Sequence, residues 1–255
     1  MERCVIARDL QRYARDYDEA YEVEVHLVRA RRRRALETVA AVADPVVVEV
    51  GCGRESAIVD APPVRAWHVI EPSPAFALRA RALSERHPSL RVHQQTLEQA
   101  AITLRHVCPD VVLVSALLHE VADEERFLSA LRLLCGPETR VHLDVPNAHS
   151  LHRLLAVAMG LLDAPTAASP RATALQQHRT YDAARLASTL ERHGFAIERA
   201  GSYFLKPLSH AQLANGLRSG IITDAYLRAC DAVCAAAPAS GAEIFAVARL
   251  PENVP

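Results

Sequence analysis

The sequence predicts an α/β protein built on a parallel sheet with crossover helices, and three observations carry that expectation. From Pro45 onward, short β-branched runs alternate with segments of helical period. Two of those runs, Val46-Val47-Val48 and Val111-Val112-Leu113-Val114, are apolar without a break, as strands buried on both faces are. At 255 residues, half of them hydrophobic, the chain can bury a core within one domain carrying a modest appendage.

Residues 1–44 form the appendage. Tyr13, Tyr17 and Tyr21 recur at four-residue spacing, and Val25, Val28, Leu36 and Val39 continue a common stripe, so a helical N-terminal cap is predicted. The basic run Arg31–Arg34 cannot all occupy one face and is expected to be solvated, with its stems lying along the surface. Residues 45–255 form the main domain. Its strands are expected at 46–50, 67–71, 90–94, 111–115 and 140–145, with helices around 73–87, 124–135 and 150–162. Residues 163–180 have no period and contain two prolines, which predicts a long loop and suggests a lid. Asp182 can cap a helix that runs through His193 and closes at Gly194. A strand at 195–205, helices at 209–218 and 224–237 and a last strand at 243–250 complete the series.

Charge and composition narrow the function. With 29 basic against 30 acidic residues, a formal charge of −1 leaves no global field to gather nucleic acid or anionic lipid. The apolar stretches 111–118 and 154–162 are too short to span a bilayer, and Met1-Glu2-Arg3-Cys4 lacks the basic-then-apolar pattern of a signal peptide. Six cysteines form no CxxC and no zinc spacing, which fits a reducing compartment. A cytoplasmic protein with a small-molecule partner is expected; oligomeric state has no signal.

The chemistry concentrates at one motif. Val46-Val47-Val48-Glu49-Val50-Gly51-Cys52-Gly53 is a buried strand running into a glycine turn, and the next strand ends in Glu71. In open α/β sheets ligands sit outside the carboxyl ends of strands, where glycines let the backbone bend and approach them. A Walker loop would need a lysine, and Lys206 is the only one in the chain. A dinucleotide fingerprint would need a third glycine where Ser56 stands, and Glu49 would repel a pyrophosphate. Glu49 instead suits a cationic amino group, and Glu71 a ribose diol. Such a ligand is S-adenosylmethionine; an NAD(P)-dependent oxidoreductase is the competing class.

Residues 46–147 resemble the core of the class I SAM-dependent methyltransferases. VVVEVGCG is similar to that family's first motif, AWHVIEPSP to its acidic second strand, PDVVLVSALLHEVAD to its fourth strand and following loop, and TRVHLDVPN to its fifth. The block 178–205 and Leu205-Lys206-Pro207-Leu208 are similar to the branch related to ubiquinone-biosynthesis O-methyltransferases. The short segment before Ala61-Pro62-Pro63 and the Cys135-Gly136-Pro137 turn depart from the family pattern.

The resemblance implies a Rossmann-like seven-stranded sheet of order 3-2-1-4-5-7-6 with helices on both faces. It also implies that Glu49 holds the methionine ammonium, that Gly51 and Gly53 line the methionine moiety, and that Glu71 grips the ribose. Thr96 and Leu97 match the adenine contact, and Ser115 ends the fourth strand beside the sulfonium. His119 stands where a general base could take a proton as the methyl arrives, with packing beside the cofactor as the alternative. Asn147 could orient the acceptor or cap the next helix. His149, Tyr203 and the cap residues Tyr17 and Tyr21 are further candidates for acceptor contacts, and Lys206 could meet an anionic group but is expected as a surface ammonium. No metal is expected, because Ser115 replaces the acid of metal-dependent relatives. An O-methyltransferase of small-molecule biosynthesis is the leading expectation; N- or C-methylation, or the same fold without methyl transfer, stay open.

Overall fold

The computed structural model describes residues 9–19 and 21–251, excepting the side chains of residues 13, 16–19, 21–23, 170 and 171. The expected contacts of Tyr17 and Tyr21 therefore lie outside the described residues. Seven strands form one sheet of order β3-β2-β1-β4-β5-β7-β6: β1 Val46–Val50, β2 Ala66–Ile70, β3 Leu90–His93, β4 Val111–Ser115, β5 Arg140–Pro146, β6 Ala196–Tyr203 and β7 Glu243–Arg249. The first five run parallel. Strand β7 is antiparallel to both neighbours, which brings its first residue, Glu243, beside Pro146 at the carboxyl end of β5.

Alternation along the strands divides the core. Val48 and Val50 pack with Val112 and Val114 against α4 (Leu97–Leu104), α5 (Glu124–Leu134) and α8 (Ala183–Arg192). Val47, Trp67 and Leu113 face the other way, onto α2 (Tyr21–Ala40) and α3 (Pro74–Ala82). Farther along that second face, Tyr203, Phe245 and Val247 meet Leu27 and Ala30 of α2 together with α9 (His210–Arg218) and α10 (Asp224–Ala232). Two helices, α1 (Leu10–Glu19) and α2, precede the first strand, and α1 contacts α2 and α3.

Three local outcomes depart from expectation. Helix α4 is not among the expected elements; Thr96 and Gln99 make a reciprocal capping box at its start. Residues 163–180 are not wholly irregular: α7 (Pro170–Ala174) forms, with Ser169 Oγ accepting from Ala172 N at 3.1 Å. Arg31 is buried, not solvated, because Glu243, Asp144 and Glu24 surround it, and Arg32 pairs with Asp60 at 2.6 Å and Glu55 at 3.1 Å.

Candidate active site

A cavity of about 1120 Å³ opens at the carboxyl ends of the parallel strands, lined also by residues of α1 and α2. Its first wall is the turn after β1. Gly51 has φ +75°, and a Cβ there would lie 2.9 Å from Leu117 Cδ2. Gly53 has φ +59°, and the space where its Cβ would project is open. The bare backbone at Gly53 is thus available to a ligand.

Glu49 is buried in this wall. Its Oε1 accepts from Ala57 N at 2.9 Å and its Oε2 from Trp67 Nε1 at 2.9 Å and from the Ser56 hydroxyl. A carboxylate offers about four acceptor sites, so three donors leave room for one more. Burial raises its pKa against those hydrogen bonds, and a cationic ligand would relieve that penalty. Glu71 stands at the end of β2 with Oε1 accepting from Ser73 N at 2.8 Å and Oε2 from Gly53 N at 3.3 Å. Burial pushes it up to about 7, with nearby Glu49 adding to the rise. The thiol of Cys52, 3.8 Å from Glu71 Oε2, is held protonated by burial and both acids.

The remaining predicted cofactor residues converge here: Thr96, Leu97 and Ser115 all line the cavity. Thr96 Oγ1 accepts from Gln99 N at 3.4 Å as the α4 cap. Beyond Ser115 the chain turns sharply through Ala116, whose φ of +49° is uncommon for a residue with a side chain. Its N–H is braced by the Asp144 carbonyl at 3.0 Å and Asp144 Oδ1 at 2.9 Å. That turn delivers His119 into the cavity wall, 3 % exposed, with Nε2 3.7 Å from Glu120 Oε1. The segment behind α7 fastens this loop, since His178 N and Arg179 N donate to the His119 carbonyl at 2.9 and 3.2 Å.

Other candidates fall differently. Asn147 borders the cavity, but its amide is engaged by the fold: Nδ2 donates to the carbonyls of Ala239 and Gly241, each at 2.9 Å, and Oδ1 accepts from His149 N at 2.9 Å. His149 is exposed and outside the cavity wall, while His152 is in it. Tyr203 is fully buried behind Glu243, to which its hydroxyl donates, and does not reach the cavity. Lys206 is not a surface ammonium; it is 2 % exposed and lines the cavity. Pattern reading also missed Glu24, Arg31, His210 and Glu243, which share that wall and come together only by long-range folding. Among the described residues, no group is arranged to hold a metal, and no helix is long and apolar enough to cross a membrane.

A sequence profile of the methyltransferase domain family matches residues 13–200, and the chain belongs to that family. No curated protein matches it. Solved structures of the same fold include a SAM-dependent methyltransferase from Archaeoglobus fulgidus, at 15% identity over 87% of this chain and 92% of that one, TM-score 0.54. The N-methyltransferase NodS from Bradyrhizobium japonicum, in complex with S-adenosylhomocysteine, aligns at 13% identity over 88% and 87%, TM-score 0.54. The [4+2]-cyclase SpnF aligns at 12% identity over 87% and 80%, TM-score 0.57.

S-adenosylmethionine is the cofactor, and the donor set suits it. Two buried acids at adjacent strand ends, an open backbone at Gly53 and an apolar wall including Leu97 and Phe76 match a cationic amino acid joined to a nucleoside.

Proposed function

We propose that the protein transfers a methyl group from S-adenosylmethionine to an oxygen of a small-molecule acceptor. The observation that carries this reading is the continuity of the cavity, whose wall includes Glu71 and the glycine turn, His119, and Lys206. Single-ligand pockets occupy about 300–1,000 Å³, so a cavity of about 1120 Å³ accommodates donor and acceptor together.

Bound S-adenosylmethionine supplies an electrophilic methyl on its sulfonium. Glu49 would receive the ammonium at its remaining acceptor site, and Glu71 would accept from the ribose hydroxyls. Gly51 and Gly53 would line the methionine chain, Thr96 and Leu97 the adenine, and Ser115 the sulfonium. Alignment of acceptor and methyl in a closed site contributes up to about 7–11 kcal/mol. His119 takes the acceptor hydroxyl proton, and Glu120 at 3.7 Å favours the imidazolium that results. Residues 163–180 act as a lid, since Ser169, Ala172, Leu175 and Gln177 all border the cavity. Asn147 serves the site by holding the rim, and Tyr203 by holding Glu243.

The choice of oxygen follows the resemblance of residues 178–205 to O-methyltransferases and the suitability of an imidazole base for a hydroxyl. The test is mass spectrometry of a panel of hydroxyl, amine and carbon acceptors incubated with protein and S-adenosylmethionine. Methylated hydroxyl product is expected. Binding of S-adenosylhomocysteine without turnover of any acceptor would favour a use of the fold without methyl transfer. Absence of that binding, with an NADH-induced thermal shift, would overturn the reading altogether.

A further inference from the structure

Asp144 is a buried acid with no part in the methyl-transfer scheme above. It lies in β5, the strand that leads past Asn147 to α6 (Leu151–Ala158), and it pairs in register with Ser115, the last residue of β4. Its side chain is fully buried and is not part of the cavity wall, so it stands behind the site. Desolvating a carboxylate costs about as much as its partners return, so a carboxylate at a fully interior position calls for a specific task.

That task is visible at Ala116. With φ +49°, Ala116 holds a conformation that is strained for a residue with a side chain and persists where the surroundings impose it. Its N–H donates to two acceptors of one residue, the Asp144 carbonyl at 3.0 Å and Asp144 Oδ1 at 2.9 Å. The carboxylate is itself held from two sides. Arg31 Nε, on α2, lies 3.4 Å from the same Oδ1 and donates to Glu243 Oε2 at 2.9 Å. His142 Nε2 lies 3.4 Å from Asp144 Oδ2, with Thr38 Oγ1 3.2 Å from His142 Nδ1. The turn fixed in this way forms part of the cavity. Ser115, Ala116 and Leu117 all line it, and Leu117 packs so closely on Gly51 that a Cβ there would lie 2.9 Å from Leu117 Cδ2. The turn after β4 and the glycine turn after β1 interlock, and one carboxylate oxygen sets the first against the second.

We infer that Asp144 is a positioning residue for the methyl donor: its carboxylate, oriented by Arg31, holds the Ala116 turn in the left-handed form that sets Ser115 and Leu117 against the methionine end of the cofactor. The inference rests on the cofactor placement proposed above and adds to it a residue that acts only through the turn. It also makes α2 a support of the donor site, because Arg31 reaches Asp144 from that helix.

Two variants separate the oxygen from the bulk of the side chain. Asp144→Leu fills the volume and removes the acceptor, whereas Asp144→Asn keeps an oxygen for Ala116 N. The readouts are hydrogen exchange of the Ala116 amide in the cofactor-free protein, followed by NMR, and calorimetric affinity for S-adenosylhomocysteine. In Asp144→Leu the amide should exchange about tenfold faster and the affinity should fall about tenfold, the scale of one hydrogen bond to a charged group, while Asp144→Asn should change each by less than about threefold. Adding Ala116→Gly, which adopts the turn without strain, should recover about threefold or more of the affinity lost in Asp144→Leu; a general loss of packing would not respond to glycine at that position. Wild-type exchange or wild-type affinity in folded Asp144→Leu, or a loss there that Ala116→Gly leaves in place, overturns the inference. So does a loss of about tenfold in Asp144→Asn, which keeps the volume and serves if Asp144→Leu does not fold. Faster exchange in Asp144→Leu, in a protein whose wild type binds no S-adenosylhomocysteine, supports the hold on the turn and refutes the cofactor placement, so the two failures are distinct.

Discussion

Glu71 should make cofactor affinity depend on pH in a direction and amount that follow from its surroundings. In the free protein its carboxyl titrates near 7, because burial outweighs the hydrogen bonds from Ser73 and Gly53. Ribose hydroxyls donate, so the complex requires the carboxylate and holds its pKa below the free value. Affinity therefore rises with pH through 7, and binding below 7 releases a proton. With about a tenth of the sites ionised at pH 6 and about nine tenths at pH 8, the apparent Kd for S-adenosylhomocysteine should fall about tenfold between them. Calorimetric titrations at pH 6, 7 and 8, repeated in buffers of different ionisation enthalpy, measure both the slope and the proton count. Glu71→Gln should abolish the slope and weaken binding at pH 8 by about 1.5–3 kcal/mol, the scale of hydrogen bonds to a charged group. A flat wild-type profile, or a slope retained in Glu71→Gln, would refute this assignment. The same shift has a stability counterpart. A carboxyl raised above its unfolded value stabilises the fold least when ionised, so the cofactor-free protein should lose stability as pH rises from about 4.5 to 7, and urea titrations across that window would read it.

Glu49→Gln turns an amide N–H₂ toward one of the donors on Ser56, Ala57 and Trp67, so unfolding free energy should fall by about 1–3 kcal/mol. Its affinity for S-adenosylhomocysteine should drop at least tenfold; undiminished affinity would remove Glu49 from the ammonium site. Gly53→Ala should cost about 1–2 kcal/mol of stability through its left-handed backbone, and should lose more cofactor affinity than that because its Cβ enters the cavity. Thermal melting with and without S-adenosylhomocysteine separates the two effects. His119→Gln should lower kcat by about 10²–10⁴-fold with cofactor affinity kept, and a loss under tenfold in single-turnover assays would leave alignment as the main source of rate.

The sheet, and the strand-end residues proposed to hold the cofactor, were legible in the sequence because their determinants are local. An unbroken apolar run specifies a strand buried on both faces, and Glu49, Gly51, Gly53 and Glu71 sit at strand ends whose position follows from that run. Helix α4 could also have been read, from the spacing of Thr96 and Gln99. The opposite wall, with Arg31, Lys206 and Glu243, was not legible. Arg31 meets Glu243 across a separation of 212 residues, and the antiparallel entry of β7 is what carries Glu243 to the rim. Arg31 and Lys206 looked solvated because a charged side chain in isolation favours water; burying them requires partners, and the chain supplies those partners only after folding. Asn147 illustrates the converse, a residue suited to catalysis by type whose amide the tertiary structure takes for its own loops. The glycine turn after β1 and the acid ending β2 are thus written in short local motifs, whereas the charged wall opposite is assembled from α2, the segment after β6 and the start of β7, since it depends on charges that become favourable in the interior only in one another's company.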